Sequence, residues 1–292
     1  MSWQVIILVL VAAALHAGWN FASRSSRGNL PVLWVSLLLA GLVFLPVTII
    51  AAWHNPISRT GAVYLAATAV IHAIYFPLLA SAYRSGQISL VYPVARGTGV
   101  AGTTIVAFAA GIDSFSIAAC LAIACVCAGI FLISLQRGAS ILGHARALLP
   151  AVGVGLTIVV YSITDKLAVS GSSGLLPAGR LHPLVYIDAL FLGTAICMIP
   201  YIRGRVGLAD IRRALATQKR YILTIGPSSL ATYLLILLAY QLAPVSSVVA
   251  MREIAVVFGS ILGFVLLKEP PTLWRVAGIA LVTGGIIILP LA

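Results

Sequence analysis

Residues 82–91, Ala82-Tyr83-Arg84-Ser85-Gly86-Gln87-Ile88-Ser89-Leu90-Val91, return 157 positions later as Ala239-Tyr240-Gln241-Leu242-Ala243-Pro244-Val245-Ser246-Ser247-Val248. Ala82/Ala239, Tyr83/Tyr240, Ser89/Ser246 and Val91/Val248 are identical pairs at that offset. Each copy joins two apolar stretches through a tight turn, Arg84-Ser85-Gly86 in the first and Ala243-Pro244 in the second. Farther along, Asp113-Ser114-Phe115-Ser116 stands where the second copy has Glu269-Pro270-Pro271-Thr272, and both read as an acid followed by a helix start. The chain therefore reads as two halves, residues 1–136 and 148–292, joined by a cytoplasmic linker at 137–147.

Each half consists of apolar stretches. A spanning helix needs about 20 apolar residues, because the hydrocarbon layer is about 30 Å thick and each residue rises about 1.5 Å. Such stretches run Trp3–Ala22, Leu30–Ala52, Ala62–Tyr83, Gln87–Ala110 and Ile117–Leu135, then Leu148–Val169, Pro183–Ile202, Tyr221–Leu242, Val245–Leu267 and Leu273–Leu291. With 61% hydrophobic and 8% charged residues and a mean hydropathy of +1.12, a water-soluble fold is excluded. The expected fold is all-α and integral to the membrane, with ten transmembrane helices as two five-helix repeats. Met1-Ser2-Trp3 supplies no basic flank, so the first stretch reads as an uncleaved helix rather than a signal peptide.

The formal charge of +12 would suggest a nucleic-acid partner in a soluble chain, but its distribution points to topology instead. Arg24, Arg27, Arg84, Arg137, Arg146, Arg203, Arg205, Arg212, Arg213, Lys219, Arg220, Lys268 and Arg275 fall in or beside alternate connections, whereas the other connections hold Arg59 and Arg180. Basic loops stay on the cytoplasmic side. The expected partner is the lipid bilayer of a bacterial inner membrane, crossed many times with both termini outside, and no nucleic acid. Cys120, Cys125, Cys127 and Cys197 lie within apolar spans and read as small apolar residues, so neither a disulfide nor a metal is expected.

Five is odd, so the second half enters the membrane from the side opposite to the first, and the repeats are inverted. Inverted repeats place a substrate site near the midplane at their interface and interconvert by alternating access. The layout, together with Gly18-Trp19-Asn20-Phe21-Ala22 closing the first helix, the Ala-Tyr turns opening helices four and nine, and Lys268-Glu269-Pro270 before helix ten, resembles the drug/metabolite transporter superfamily and its EamA-type exporters. Within these it most resembles the YddG-type amino-acid exporters. The resemblance implies outward movement of amino acids, aromatic ones in particular, through a central cavity. Proton-coupled small multidrug transporters of this superfamily use a carboxylate in the first helix, and none is present here.

Charges inside the spans are candidates for function, since each costs about 2.5–3.5 kcal/mol to insert at a helix centre. Arg96, Lys166, Arg252, Asp165, Asp188 and Glu253 qualify. At the offset of 157 Arg96 aligns with Glu253, so the pair is expected to meet across the repeat interface, as a structural ion pair or as charges offered to a zwitterion. Arg252, one position away, is expected to point elsewhere, and Asp165-Lys166 reads as a local interfacial pair. Tyr64, Thr68, His72, Tyr75, Leu79 and Tyr83 recur at spacings of three and four on one face of helix three, and Ser89, Tyr92, Arg96, Gly99 and Thr103 repeat the pattern in helix four. Gly97, Gly99 and Gly102 allow close helix approach. The expected substrate-binding set is Trp19, His72, Tyr75, Tyr92, Arg96, Tyr161 and Glu253, with Pro77 and Pro93 as hinges.

No His-Glu-x-x-His motif, nucleophile elbow or phosphate loop is present, so no catalytic residue and no cofactor is assigned. The rival readings are an exporter of lipophilic drugs or other metabolites, and farther off an intramembrane enzyme or a channel. Ten helices enclose a complete pathway, so a monomer is expected.

Overall fold

The computed structural model describes residues 1–22, 29–85, 88–114, 116–134, 145–171, 174–266, 268 and 270–291, without the side chains of 19–22, 80, 83–85, 88–90, 134 and 145–147. All regular structure among the described residues is helical. In chain order the helices are α1 (Trp3–Ala22), α2 (Leu30–His54), α3 (Arg59–Ser85), α4 (Ile88–Ala109), α5 (Ile117–Ser134), α6 (Ala145–Val169), α7 (Pro183–Cys197), α8 (Ile199–Arg205), α9 (Leu208–Thr217), α10 (Lys219–Leu242), α11 (Val245–Met251), α12 (Ile254–Leu266) and α13 (Leu273–Ile288), followed by a 3-10 turn at Leu289–Leu291. Six segments among the described residues are long and apolar enough to cross a membrane: Leu30–His54, Arg59–Leu79, Leu148–Val169, Lys219–Leu242, Val245–Leu266 and Leu273–Leu291. Pro183–Cys197 and Ile199–Arg205 form a seventh if counted together, and Trp3–Gly18 and Ile117–Ile133 are shorter apolar helices. Helices fill the membrane layer because hydrocarbon offers no partner to an unbonded amide or carbonyl.

Two of the stretches read as continuous helices are interrupted. The one starting at Pro183 bends by 40° at Met198. Pro200 lies in the first turn of α8 and has no amide hydrogen to continue the ladder from α7. The one starting at Val245 breaks at Arg252-Glu253, where the Glu253 amide bonds Ala250 O at 3.1 Å and the Ala255 amide bonds Arg252 O at 3.1 Å, tighter turns than the α-helical repeat. The stretch 203–220 read as a basic loop contains α9, a short helix with Ala214 buried and Arg212 and Arg213 exposed, started by Asp210 accepting the Gly207 amide at 3.1 Å. The linker residues 137–144 lie outside the described residues, as do Gly86, Gln87 and Glu269.

The Met1 ammonium donates to Pro290 O at 2.8 Å, so both termini lie at one end of the bundle. The connections α2–α3, α4–α5, α6–α7 and α10–α11 converge at that end. Leu175 N donates to Ala110 O at 3.2 Å, Ser58 Oγ to Gly179 O at 3.2 Å, and Tyr64 OH to Pro177 O at 2.7 Å. The segment Asp113–Ser116 is an acid followed by a helix start, as the sequence suggests, with α5 beginning at Ile117. Ser116 opens that helix, accepting the Ala119 amide at 3.3 Å. Asp113 reaches across instead and caps α11, accepting Val245 N at 3.1 Å, Ser246 N at 2.8 Å and Ser246 Oγ at 2.6 Å. Two orphan amides at a helix start, and one hydroxyl beside them, thereby find one carboxylate. Thr272 caps α13 from the Arg275 amide at 3.3 Å, in the manner of Ser116.

α5 packs along α13, α4 and α3 along α6, α10 along α1, and α2 along α7. Without a hydrophobic driving force inside lipid, such contacts depend on small residues that admit the neighbouring backbone. A Cβ on Gly129 would lie 2.7 Å from Gly278 O, one on Gly278 2.7 Å from Gly129 O, and one on Gly285 2.6 Å from Ala122 O. Of the α4 glycines, Gly99 faces Ile158 and Gly102 faces Val159 on α6, whereas Gly97 has no neighbour within 4 Å of the position its Cβ would take. Gly278→Val should therefore separate α5 from α13 and lower the thermal unfolding midpoint in detergent, at a cost of about 1–3 kcal/mol; an unchanged midpoint would refute the close seam.

Candidate functional site

Burial of ionisable side chains selects the region between α3, α4, α6, α10 and the α11–α12 break. Arg96, in the middle of α4, donates from Nη1 to Glu253 Oε1 at 3.1 Å. The sequence separation of this pair, 157, is the offset of the repeated segments. The carboxylate side chain is 3% exposed and the guanidinium 18%. The guanidinium also lies 5.5 Å from the Tyr92 ring centroid, close enough for a cation–π contact.

Arg252 occupies the break itself. Its guanidinium lies 5.6 Å from the Tyr233 ring centroid, and its Nη1 is buried without a hydrogen-bond partner among the described residues. Glu253 Oε2 is buried and unpartnered in the same sense. An unmet donor and an unmet acceptor are costly in a desolvated place, and this break holds one of each sign at consecutive positions. His16, from α1, is within electrostatic reach of both Arg96 and Arg252.

Aromatic rings adjoin these charges. His72 stacks on Tyr161 at 4.6 Å between centroids with 29° between planes, and meets Tyr75 and Tyr233 edge-on at 6.4 and 6.0 Å. Tyr161 meets Tyr75 at 5.9 Å and Tyr233 at 6.3 Å. Such offset and edge-on packing is the favoured geometry of ring pairs. The i, i+3/i+4 stripe of α3 places His72 and Tyr75 in the cluster, α6 supplies Tyr161 and α10 supplies Tyr233.

Of the residues expected from sequence, His72, Tyr75, Tyr92, Arg96, Tyr161 and Glu253 thus form two adjoining groups, an aromatic cluster and a charged one. The side chain of Trp19 lies outside those described. Pro77 and Pro93 sit inside the continuous helices α3 and α4, and the interruptions among the described residues fall elsewhere, at Met198 and at Arg252-Glu253.

The reading of Asp165-Lys166 as a local interfacial pair is corrected. Asp165 is fully buried and accepts hydrogen bonds from Thr68 Oγ1 at 2.8 Å and Tyr186 OH at 2.6 Å on Oδ1, and from Tyr233 OH on Oδ2. Lys166 turns the other way and donates to Tyr240 O at 2.5 Å and Ala243 O at 2.9 Å, satisfying carbonyls at the C-terminus of α10. Consecutive helical positions point about 100° apart, so sequence adjacency does not make an ion pair. Tyr186 and Tyr233 were not singled out from the sequence. Tyr233 aligns with Phe76 at the offset of 157, the one signal that pointed to it.

The charged pair makes a direct prediction. Removing one partner of a buried ion pair strands the other and costs about 3–5 kcal/mol. Arg96→Ala and Glu253→Ala should each lower the thermal unfolding midpoint sharply, and the exchanged double variant Arg96→Glu with Glu253→Arg should recover much of the loss; no recovery would mean that the surroundings, rather than mutual neutralisation, hold each charge.

A search among curated proteins gives no match. A solved structure described only as the crystal structure of a protein superposes over 98% of this chain and 97% of its own, with a TM-score of 0.71 at 16% identity, a likeness of fold. The model of the EamA-like transporter family matches residues 141–290, half of the chain. By that match the chain belongs to the EamA-like transporter family, whose members are membrane transporters and not enzymes.

Proposed function

We propose that this transporter exports amino acids, aromatic ones included, across a bacterial inner membrane by alternating access between two inverted five-helix repeats, acting as a monomer with ten spans and both termini outside. The observation that carries the substrate is the α11–α12 break. Arg252 Nη1 and Glu253 Oε2 are one unmet cationic donor and one unmet anionic acceptor at consecutive positions, the two signs that the carboxylate and ammonium of an α-amino acid require. His72, Tyr75, Tyr161 and Tyr233 adjoin them with ring faces and edges suited to an apolar or aromatic side chain.

Several features support the repeat. Exchanging α1 with α6, α2 with α7, α3 with α10, α4 with α11–α12 and α5 with α13 turns the packing of α3 on α6 into that of α10 on α1. The same exchange turns α3 on α7 into α10 on α2, and leaves α2 on α7 and α5 on α13 unchanged. The Arg96–Glu253 pair spans the same offset. The family match starting at residue 141 supports a boundary within 137–147. The exposed Trp3 and Trp53 suit anchors at the membrane surface nearest the termini. The packing of α4 along α6 is more extensive than that of α12 along α1; such inequality between equivalent contacts is what a transporter caught on one side of its cycle exhibits.

Flux of radiolabelled phenylalanine, tryptophan and threonine in proteoliposomes tests the reading, with a quaternary-ammonium drug alongside. Saturable amino-acid flux reduced by His72→Ala or Tyr161→Ala is expected. Arg252→Gln should weaken phenylalanine at least about tenfold, the loss of one charge-assisted hydrogen bond, while leaving phenethylamine, which lacks the carboxylate, nearly unchanged. Movement of the drug alone would overturn the substrate assignment and leave the family intact.

A further inference from the structure

Asp165 has no cationic partner among the described residues, yet it is fully buried where α3, α6, α7 and α10 meet. Three hydroxyl groups from three other helices converge on its two oxygens: Thr68 from α3, Tyr186 from α7 and Tyr233 from α10. A carboxylate that only accepts matches this set. A neutral carboxylic acid carries one O–H that must donate and has correspondingly less capacity to accept, so on protonation at least one of the three hydroxyls must reverse or turn away. The carboxylate lies four residues from the end of α6, and Tyr186 lies three residues after Pro183. Thr68 lies nine residues after the start of α3 and Tyr233 nine before the end of α10, so the cross-links tie the four helices together in the part of the bundle nearer the termini, below the α10–α11 connection that Asp113 and Lys166 fasten.

The titratable groups around it are distributed as follows. α3 contributes His72, whose Nδ1 lies 2.9 Å from Thr68 O and 3.1 Å from Thr68 Oγ1. Donation to the carbonyl requires the proton on Nδ1, which leaves the Thr68 hydroxyl free to donate to Asp165. α6 contributes Tyr161 and Lys166, α7 Tyr186, and α10 Tyr233 and Tyr240. Arg252 lies behind Tyr233, against its ring. On α4, Arg96 is neutralised by Glu253, and α11 carries no titratable side chain.

We propose that Asp165 is a proton-binding site whose ionised form holds α3, α6, α7 and α10 together in the part of the bundle nearer the termini and whose protonated form releases them. Tyr233 belongs to both this knot and the substrate-facing cluster, because its hydroxyl bonds Asp165 and its ring carries the Arg252 guanidinium. Protonation of Asp165 thus alters a residue in contact with the charged break. The proposal rests on the transporter fold and is indifferent to which substrate is carried.

The test is a distance. With Cys120, Cys125, Cys127 and Cys197 replaced by alanine, spin labels are attached at Ile57→Cys, between α2 and α3, and Leu242→Cys, at the end of α10. Distances are then measured in nanodiscs by double electron–electron resonance from about pH 5 to about pH 8. Wild type should give a short separation at high pH and a longer one at low pH. Asp165→Asn, which mimics the acid, should give the longer one throughout. Tyr186→Phe removes a donor that favours the anion and should move the midpoint up by about one pH unit. A pH-independent distance in wild type overturns the proposal, as does pH dependence that survives in Asp165→Asn or disappears in His72→Gln alone, which would make His72 the titrating group. Should Asp165→Asn fail to fold, Tyr186→Phe decides: a raised midpoint supports the site and an unmoved one removes it.

Discussion

In hydrocarbon a charge cannot be left to solvent, and the bundle is arranged so that charges it cannot do without meet near its centre. Arg96 and Glu253, 3.1 Å apart, come from different halves of the chain. α4 and the break after α11 must therefore face each other, and α6 and α10, packed beside them, bring Tyr161 and Tyr233 to the same place. Displacing either helix by one turn would expose a guanidinium or a carboxylate to lipid at a cost larger than any single helix contact returns. Asp165 obeys the same constraint by other means, with hydroxyl groups in place of a cation.

Much of this was legible in the sequence. Apolar runs locate helices because lipid requires continuous backbone satisfaction, and the pairing of Arg96 with Glu253 followed from one repeated segment. The α3 stripe placed His72 and Tyr75 on the inner face because a period of 3.6 residues leaves no alternative once one face must be polar. What escaped was non-local. Asp113 stands before a helix start as its sequence suggests, yet nothing local announces that its carboxylate caps α11 from across the bundle. Asp165 and Lys166 look like a pair because they are neighbours, yet a helix turns them apart, one toward three hydroxyls and the other toward two carbonyls. Nor does a run of apolar residues reveal a break such as the one at Arg252-Glu253, since β-branched and small residues continue on both sides of it.

The two breaks differ in character. At Met198 the bend is set by covalent structure, since Pro200 withholds a donor wherever the helix sits. At Arg252-Glu253 no proline intervenes, and the tighter hydrogen bonds there are retained by what surrounds them: Arg96 on one residue and Tyr233 on the other. A break held by tertiary contacts can change when those contacts change, whereas a bend dictated by proline cannot. The aromatic cluster therefore sits against the deformable interruption.

The separation of 157 residues between Arg96 and Glu253 also has a meaning in time. At synthesis rates of about 5–20 residues per second, the guanidinium leaves the ribosome about 8–30 s before the carboxylate that will neutralise it. For that interval α4 carries an unpaired charge, so its residence in the bilayer depends on the insertion machinery or on temporary partners in the first half. Biogenesis of this protein is thus completed only when the last quarter of the chain arrives to release α4 from that provisional state.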